Sequence, residues 1–379
     1  MPSPHPPPPP PPKSILLLGA GELGTAILTS LATHPALSTG PTQFTIALRP
    51  TSLSNTTRLA SLRNLAPGAA IAFAGLDLAS ATAERELTAL ILRADGGAAG
   101  PHDVVIGCTG YAGSGGGTAT SGTQALIARA VLAAAAADKS DDEKKKKIHF
   151  FPWQFGADYD VTGPEAAGGL MAEQCGVRAL LREAKTTTTG GGGGGMVDWT
   201  IVSTGMFMSF VFEEWFGVVE GLGPALRAGG PEPLSDRAGG GGGVVVRALG
   251  GWDTRVTLTD VRDIGRVVAE LVVAPPQGEG RGEDGGSVVF AAGETVTYGE
   301  LADVVQKVVG RRAKVRREEW SLEHLRAELE KDPKDQTKRY RVFFGEGNGV
   351  SWDKEKTINA ERNIESTGVE QWLREKLSM

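Results

Sequence analysis

Residues 14–31 read SILLLGAGELGTAILTSL, and the passage from an aliphatic run through three glycines into a helical pattern decides the fold. Ile15–Leu18 has the continuous apolar character of a strand covered on both faces. Gly19-Ala20-Gly21-Glu22-Leu23-Gly24 interrupts it, and Thr25-Ala26-Ile27-Leu28 continues at helical spacing. In such a strand–turn–helix unit Gly19 permits the tight turn, Gly21 lets the backbone approach a ligand, and Gly24 lets helix and strand pack closely. The first-turn amides, those of Glu22 and Leu23 among them, lack intrahelical acceptors and face an anion at the positive end of the helix dipole. The unit is suited to a nucleotide diphosphate. A lone glycine pattern is weak in a chain with 53 glycines; its position directly after a strand and opening a helix is what strengthens it.

Outward from this unit, strands and helices alternate, which predicts a doubly wound, Rossmann-type α/β fold with a parallel sheet. Gln43–Leu48 (QFTIAL) is the second strand and ends in Arg49-Pro50-Thr51-Ser52. An acid at this point accepts from a ribose 2′-hydroxyl, whereas an arginine with small hydroxyls accommodates a 2′-phosphate. Arg49, with Thr51 beside it, therefore favours NADPH, the alternative being a solvated arginine; Arg58 or Arg63 on the next helix can assist. Ala70–Leu76 is the third strand. Asp77 after it is either an adenine contact or the cap of a helix over Ser80–Leu92.

Asp103–Gly107 is the fourth strand, and the small residues Cys108, Thr109 and Gly110 leave room for the nicotinamide half of a dinucleotide over the sheet's carboxyl edge. A glycine loop at 115–117 and an alanine-rich helix, Thr123–Ala137, follow. Ile148–Pro152 is the fifth strand, with His149 directed into the sheet packing. Trp153 to Asp160 then places polar and aromatic groups where a substrate would lie. A helix over roughly Gly168–Lys185 carries Leu170, Val177 and Leu181 on its buried side, with Gln174 near them. After a sixth strand, Val197–Val202, the run from Gly205 to Phe216 concentrates Met206, Phe207 and Phe210; it serves either core packing or an adaptable wall for a flat ligand. Short strands are expected at Val244–Val246, Val256–Leu258 and Ser287–Phe290. Asp260 to Gly265 opens a helix for which Asp263 is the expected cap, and Thr297 with Glu300 fits a capping box. The remaining C-terminal segment reads as helices.

Composition narrows the function. The chain has 379 residues, 40% hydrophobic and 22% charged, with a net charge of -6. It supplies no basic face for nucleic-acid phosphates, so small molecules are the expected ligands. Two cysteines, Cys108 and Cys175, make no disulfide framework, and no CxxC or His/Cys cluster marks a metal site. No apolar run is long enough to span a bilayer, and prolines stand where a signal peptide would be apolar. A soluble, cytoplasmic protein without membrane attachment is expected. Residues 1–13 (MPSPHPPPPPPPK) are expected to be a disordered tail, Asp138–Lys147 a solvated charge run, and Thr186–Gly195 and Gly239–Gly243 low-complexity insertions.

Taken in order, GAGELG, the arginine after the second strand, FFPWQFGADYD, VDWTIVSTGMF and VTLTDVRDIGRVVAELV resemble the isoflavone reductase-like, NmrA-like branch of the atypical short-chain dehydrogenases. The resemblance spans roughly residues 14–310 and is closest to fungal aromatic alcohol reductase-type members. It implies an NADP-binding domain over 14–205, with returning segments near 244–292, and a smaller substrate lobe from 206–243 and 293–379. A monomer or homodimer using NADPH to reduce a small aromatic or conjugated carbonyl compound is implied, with Phe151, Pro152 and Phe155 along the nicotinamide side. Trp153, Met206, Phe207 and Phe210 are the expected substrate contacts.

The chain also departs from the family. Plant members carry a catalytic lysine in a K-x-x-V-R arrangement, where this chain has Gln174-Cys175-Gly176-Val177-Arg178, and their PSEFG reads Pro152-Trp153-Gln154-Phe155-Gly156. The Tyr-x-x-x-Lys pair of ordinary short-chain dehydrogenases is absent. Tyr159 becomes the leading proton-donor candidate, a surface tyrosine being the alternative. Gln174 is the group that would orient a carbonyl, and Asp158 tunes Tyr159 or caps the next helix. A redox-sensing regulator that binds NADP(H) without turnover is the rival function.

Overall fold

The computed structural model describes residues 10–93, 100–110, 121–137, 147–186, 197–223, 243–276, 286–310 and 313–377. The first nine residues of the proline-rich tail, the glycine loop at 115–117, the charge run over 138–146 and the insertions at 187–195 and 239–242 lie outside the described residues. Strand β1 (Ser14–Leu18) is buried along its whole length. It pairs in parallel with β2 (Gln43–Leu48) on one side. On the other it pairs in parallel with β4 (Val104–Gly107). With β3 (Ala70–Gly75), β5 (Ile148–Phe151), β6 (Val197–Ser203) and β11 (Gly286–Phe290) it forms a seven-stranded sheet of order β11-β6-β5-β4-β1-β2-β3. All its pairings are parallel. The chain reverses its direction of travel across the sheet between β1 and β4, and a crevice must open at the carboxyl ends of those two strands.

Helices cover both faces. Thr123–Ala137 packs between Ala83–Ile91 and Ala172–Thr186, burying Leu16, Val105 and Phe150 beneath them. On the opposite face Glu22–Thr33 pairs with Val261–Val273 over Ile15, Leu17 and Ile106. That crossing is tight: a side chain on Gly265 would meet Ala26 O and Ser30 Oγ, each at 2.7 Å. A third cluster lies around two three-stranded sheets: β10 (Arg255–Thr259) between β12 (Glu294–Thr297) and β7 (Met206–Phe207), and β9 (Val244–Gly250) between β13 (Val315–Ser321) and β8 (Val219–Glu220).

Several expectations change here. β9 (Val244–Gly250) and β10 (Arg255–Thr259) do not rejoin the large sheet; they are central strands of the two small ones. The returning segments are the helix at 261–273 and β11. β12 (Glu294–Thr297) runs directly into the helix that Thr297 caps, and β13 (Val315–Ser321) stands in a region that reads as helical. The helix expected from Gly168 is broken, because Ala167, Gly168 and Gly169 all have positive φ, and it resumes at Ala172. The cap of the 261–273 helix is Asp260, which accepts from Arg262 N; Asp263 is instead fully buried and accepts from the backbone and hydroxyl of Thr367. Burial raises the Asp263 carboxyl above its ordinary range. The capping box at Thr297 and Glu300 forms as read. Among the described residues no helix is long and apolar enough to cross a membrane.

Candidate dinucleotide cleft

Gly19 adopts φ +96°, and a side chain there would collide with Cys108 O at 2.8 Å. Gly24 sits against the Gly19 carbonyl and the Cys108 side chain, so neither glycine tolerates a Cβ. Gly21, in contrast, has nothing within 4 Å of where a Cβ would stand. It is the N-cap of the Glu22–Thr33 helix, and no side chain caps that helix end. Uncapped first-turn amides, an open Gly21 and a helix dipole aimed outward make a cradle that fits a diphosphate.

The cradle opens into a cleft of about 890 Å³ at the reversal point. Gly19, Gly21, Glu22 and Leu23 line its floor, and Arg49, Ser52, Arg58 and Asp77 line it on the β2–β3 side. Thr109, Gly110, Thr123, Trp153 and Phe207 line it on the β4–β5 side. Arg49 is exposed and, among the described residues, has no acid paired with it. Arg58 Nη2 donates to Ala20 O at 2.5 Å and to Thr25 Oγ1 at 3.3 Å, so a second guanidinium lies against the glycine turn. Arg63 stands over the Phe73 ring and does not line the cleft. The chain turns helical at Pro50, which puts Ser52 on the cleft and leaves Thr51 outside it. Asp77 both lines the cleft and accepts from Ala79 N at 3.0 Å in a turn, while the helix beyond begins only at Ala83. Cys108 also lines it, but burial pushes its thiol far up, leaving a protonated and unreactive sulfur.

Other expected site residues are not at the cleft. Phe151, Pro152 and Phe155 are buried, because β5 is a central strand covered on both faces and its exit loop is folded under. Met206 is in the hydrophobic cluster around the two small sheets, and Phe210 packs against Trp215, Phe216 and Tyr340. His149 meets Thr200 Oγ1 at 2.8 Å within the sheet, as its position suggests.

Tyr159, the proton-donor candidate, and Gln174, the expected carbonyl-orienting group, likewise do not line the cleft. Tyr159 is 4% exposed, its hydroxyl tucked against Gly156 and its ring under the Arg178 guanidinium. Asp158 caps the short helix that Tyr159 begins. Arg178, itself buried, donates from Nε to Gln154 Oε1 at 2.8 Å and from Nη1 to Asp160 Oδ2 at 2.7 Å. Gln154 in turn donates to the backbone oxygen of Gln174 at 2.9 Å. This network straps the loop after β5 to the Ala172–Thr186 helix and encloses Gln174, which has no exposed surface and, among the described residues, no partner for either end of its amide. An amide so enclosed does not meet a substrate in this arrangement. One contact had no sequence signal: Ser209 Oγ donates to Glu22 Oε2 at 3.1 Å, joining the glycine turn to the segment after β7 (Met206–Phe207) across 187 positions.

Sheet order, reversal point and cradle define a Rossmann-type α/β protein. No family model matches the chain. It is 35% identical over 365 residues to an NmrA-like family domain-containing oxidoreductase of Gibberella moniliformis, covering 96% of this chain and 97% of that protein. The chain belongs to the NmrA-like family of oxidoreductases. Its fold is similar to that of leucoanthocyanidin reductase from Vitis vinifera, solved as a binary complex with NADPH, with a TM-score of 0.61, 16% identity, and coverage of 97% of this chain and 100% of that one. It is also similar to an NADPH-dependent quinone oxidoreductase of Escherichia coli complexed with NADPH, with a TM-score of 0.59 and 18% identity over 96% of this chain and 98% of that one.

Proposed function

We propose that this protein is an NADPH-dependent reductase of a small, flat aromatic or conjugated carbonyl compound. The observation that carries the cofactor assignment is the pair Arg49 and Arg58 on the β2–β3 side of an uncapped glycine cradle. Two guanidiniums there match a 2′-phosphate far better than a ribose hydroxyl. The amides of Gly21, Glu22 and Leu23 would hold the diphosphate, and Asp77 would face the adenine. When bound, the dinucleotide supplies the hydride. Trp153 and Phe207, on the opposite side of the turn, offer apolar walls to an aromatic ligand.

A second reading has an observation of its own. Tyr159 and Gln174 are both sealed away from the cleft, which favours a sensor that binds NADP(H) without turning it over. Incubation with NADPH and a panel of aromatic aldehydes, ketones, quinones and enones, followed by absorbance, separates the two. Cofactor-dependent turnover of any member supports the reductase. Tight NADPH binding with no turnover across the panel supports the sensor, and absence of binding overturns both.

A further inference from the structure

We infer that the Thr109 hydroxyl is a second-wall donor to the cofactor's diphosphate, aimed by Gln124; the inference rests on the dinucleotide reading above. Thr109 follows β4 and stands directly across from the glycine turn, since a Cβ on Gly19 would lie 3.3 Å from the Thr109 Cα. It is half-buried and lines the cleft.

Its hydrogen bonding fixes where its proton goes. Thr109 Oγ1 accepts from Gln124 Nε2 at 3.0 Å, and the same nitrogen reaches Gly110 O at 3.4 Å. A backbone carbonyl only accepts, so the end of the Gln124 amide facing this pair is its nitrogen, and Thr109 is the acceptor. The hydroxyl's own proton is unspent, and among the described residues nothing takes it. Gln124 is held in place in turn: it is buried, and its backbone N–H and that of Ala125 donate to Glu173 Oε1 at 2.5 and 3.1 Å.

The same contact removes the competing donor. Glu173 reaches over from the neighbouring helix and fills the N-terminus of the Thr123–Ala137 helix with a carboxylate, so those amides do not serve an anion in the cleft. The diphosphate is therefore gripped from one wall by the amides of the glycine turn and from the other by one O–H. Gln124 acts through Thr109 as a positioning residue.

The test compares three ligands on the full-length protein by calorimetry: NADPH, 2′-phospho-ADP-ribose, which keeps the diphosphate but lacks nicotinamide, and 2′,5′-ADP, which lacks the second phosphate. Thr109→Val is expected to weaken the first two about 10- to 100-fold, as for a hydrogen bond to a charged group, and to leave 2′,5′-ADP unchanged. Thr109→Ser is expected to restore both. Gln124→Leu should weaken the same two ligands by less, and the double variant should be no weaker than Thr109→Val alone. Equal binding of the diphosphate ligands by wild type and Thr109→Val overturns the inference. Loss confined to NADPH, which assigns the hydroxyl to the nicotinamide half, also overturns it, as does equal loss of all three. A wild-type protein that binds none of them overturns the dinucleotide reading itself.

Discussion

Replacing Arg58 with alanine separates two jobs that one guanidinium performs. Its bonds to Ala20 O and Thr25 Oγ1 hold the glycine turn from outside, and its place in the cleft beside Arg49 offers charge to a 2′-phosphate. The first job concerns a half-exposed side chain, so water replaces much of what is lost; about 1 kcal/mol of stability, or at most roughly 2 °C in Tm for a chain of this size, is the expected cost. The second is a charge-assisted contact worth about 1.5–3 kcal/mol, which raises the Kd for NADPH about 10- to 100-fold. NADH has no 2′-phosphate and should weaken by no more than a few-fold, through the turn alone. Titrating both cofactors by calorimetry on wild type, Arg58→Ala and Arg49→Ala therefore gives a ratio that isolates the 2′-phosphate contribution. Added salt should narrow the gap between the variants, because the site is open to solvent. Equal weakening of NADPH and NADH would assign Arg58 to the turn only, and an unchanged ratio in both variants would refute the NADPH assignment.

Further outcomes can be checked on the same protein. Gln174→Met should be neutral or stabilising in urea denaturation and leave turnover intact, since it removes an enclosed amide that has no partners among the described residues; a large loss of turnover would return Gln174 to the reaction. Gln174→Lys, which restores the lysine of the plant enzymes, should cost about 2 kcal/mol or more, because it buries an ammonium in that enclosure. His102 is buried and its pKa is held down to about 4, mainly by burial and further by Arg93. The unfolded chain takes up this proton first, so stability should fall by up to about 3 kcal/mol between pH 6.5 and 4, and His102→Leu should flatten that part of the profile. Gly265→Ala drives a methyl into Ala26 O and Ser30 Oγ. It should lower stability by about 1–3 kcal/mol, read as a fall in the denaturation midpoint.

The large sheet was legible because its strands are short apolar runs punctuated by glycine, a pattern that buried parallel strands need on both faces. Gln43–Leu48 and Thr123–Ala137 have in the structure the bounds that the sequence suggests. β13 was not legible, since VRREEWS pairs on only one side and carries charges where a buried strand would be aliphatic. At the cleft, residues anchored directly to strand ends, such as Gly19, Arg49, Thr109 and Trp153, fell where β-strand geometry puts them. Residues one step further out did not. Thr51 and Tyr159 each sit in a single helical turn that rotates the side chain away. For Gln174 the warning was present in the spacing, because Val177 and Leu181 share its helix face and both are buried.

The pairing of the first helix with the one at 261–273 reaches into biosynthesis. The apolar side of the Glu22–Thr33 helix, with Ile27 and Leu31, waits for a cover that is encoded some 230 residues later. At the ordinary pace of translation that delay is on the order of 10 to 50 s, far longer than a helix takes to form. The nascent chain thus spends that interval with a greasy stripe and an unclosed sheet facing water, an invitation to chaperones that ends only when the second helix leaves the ribosome.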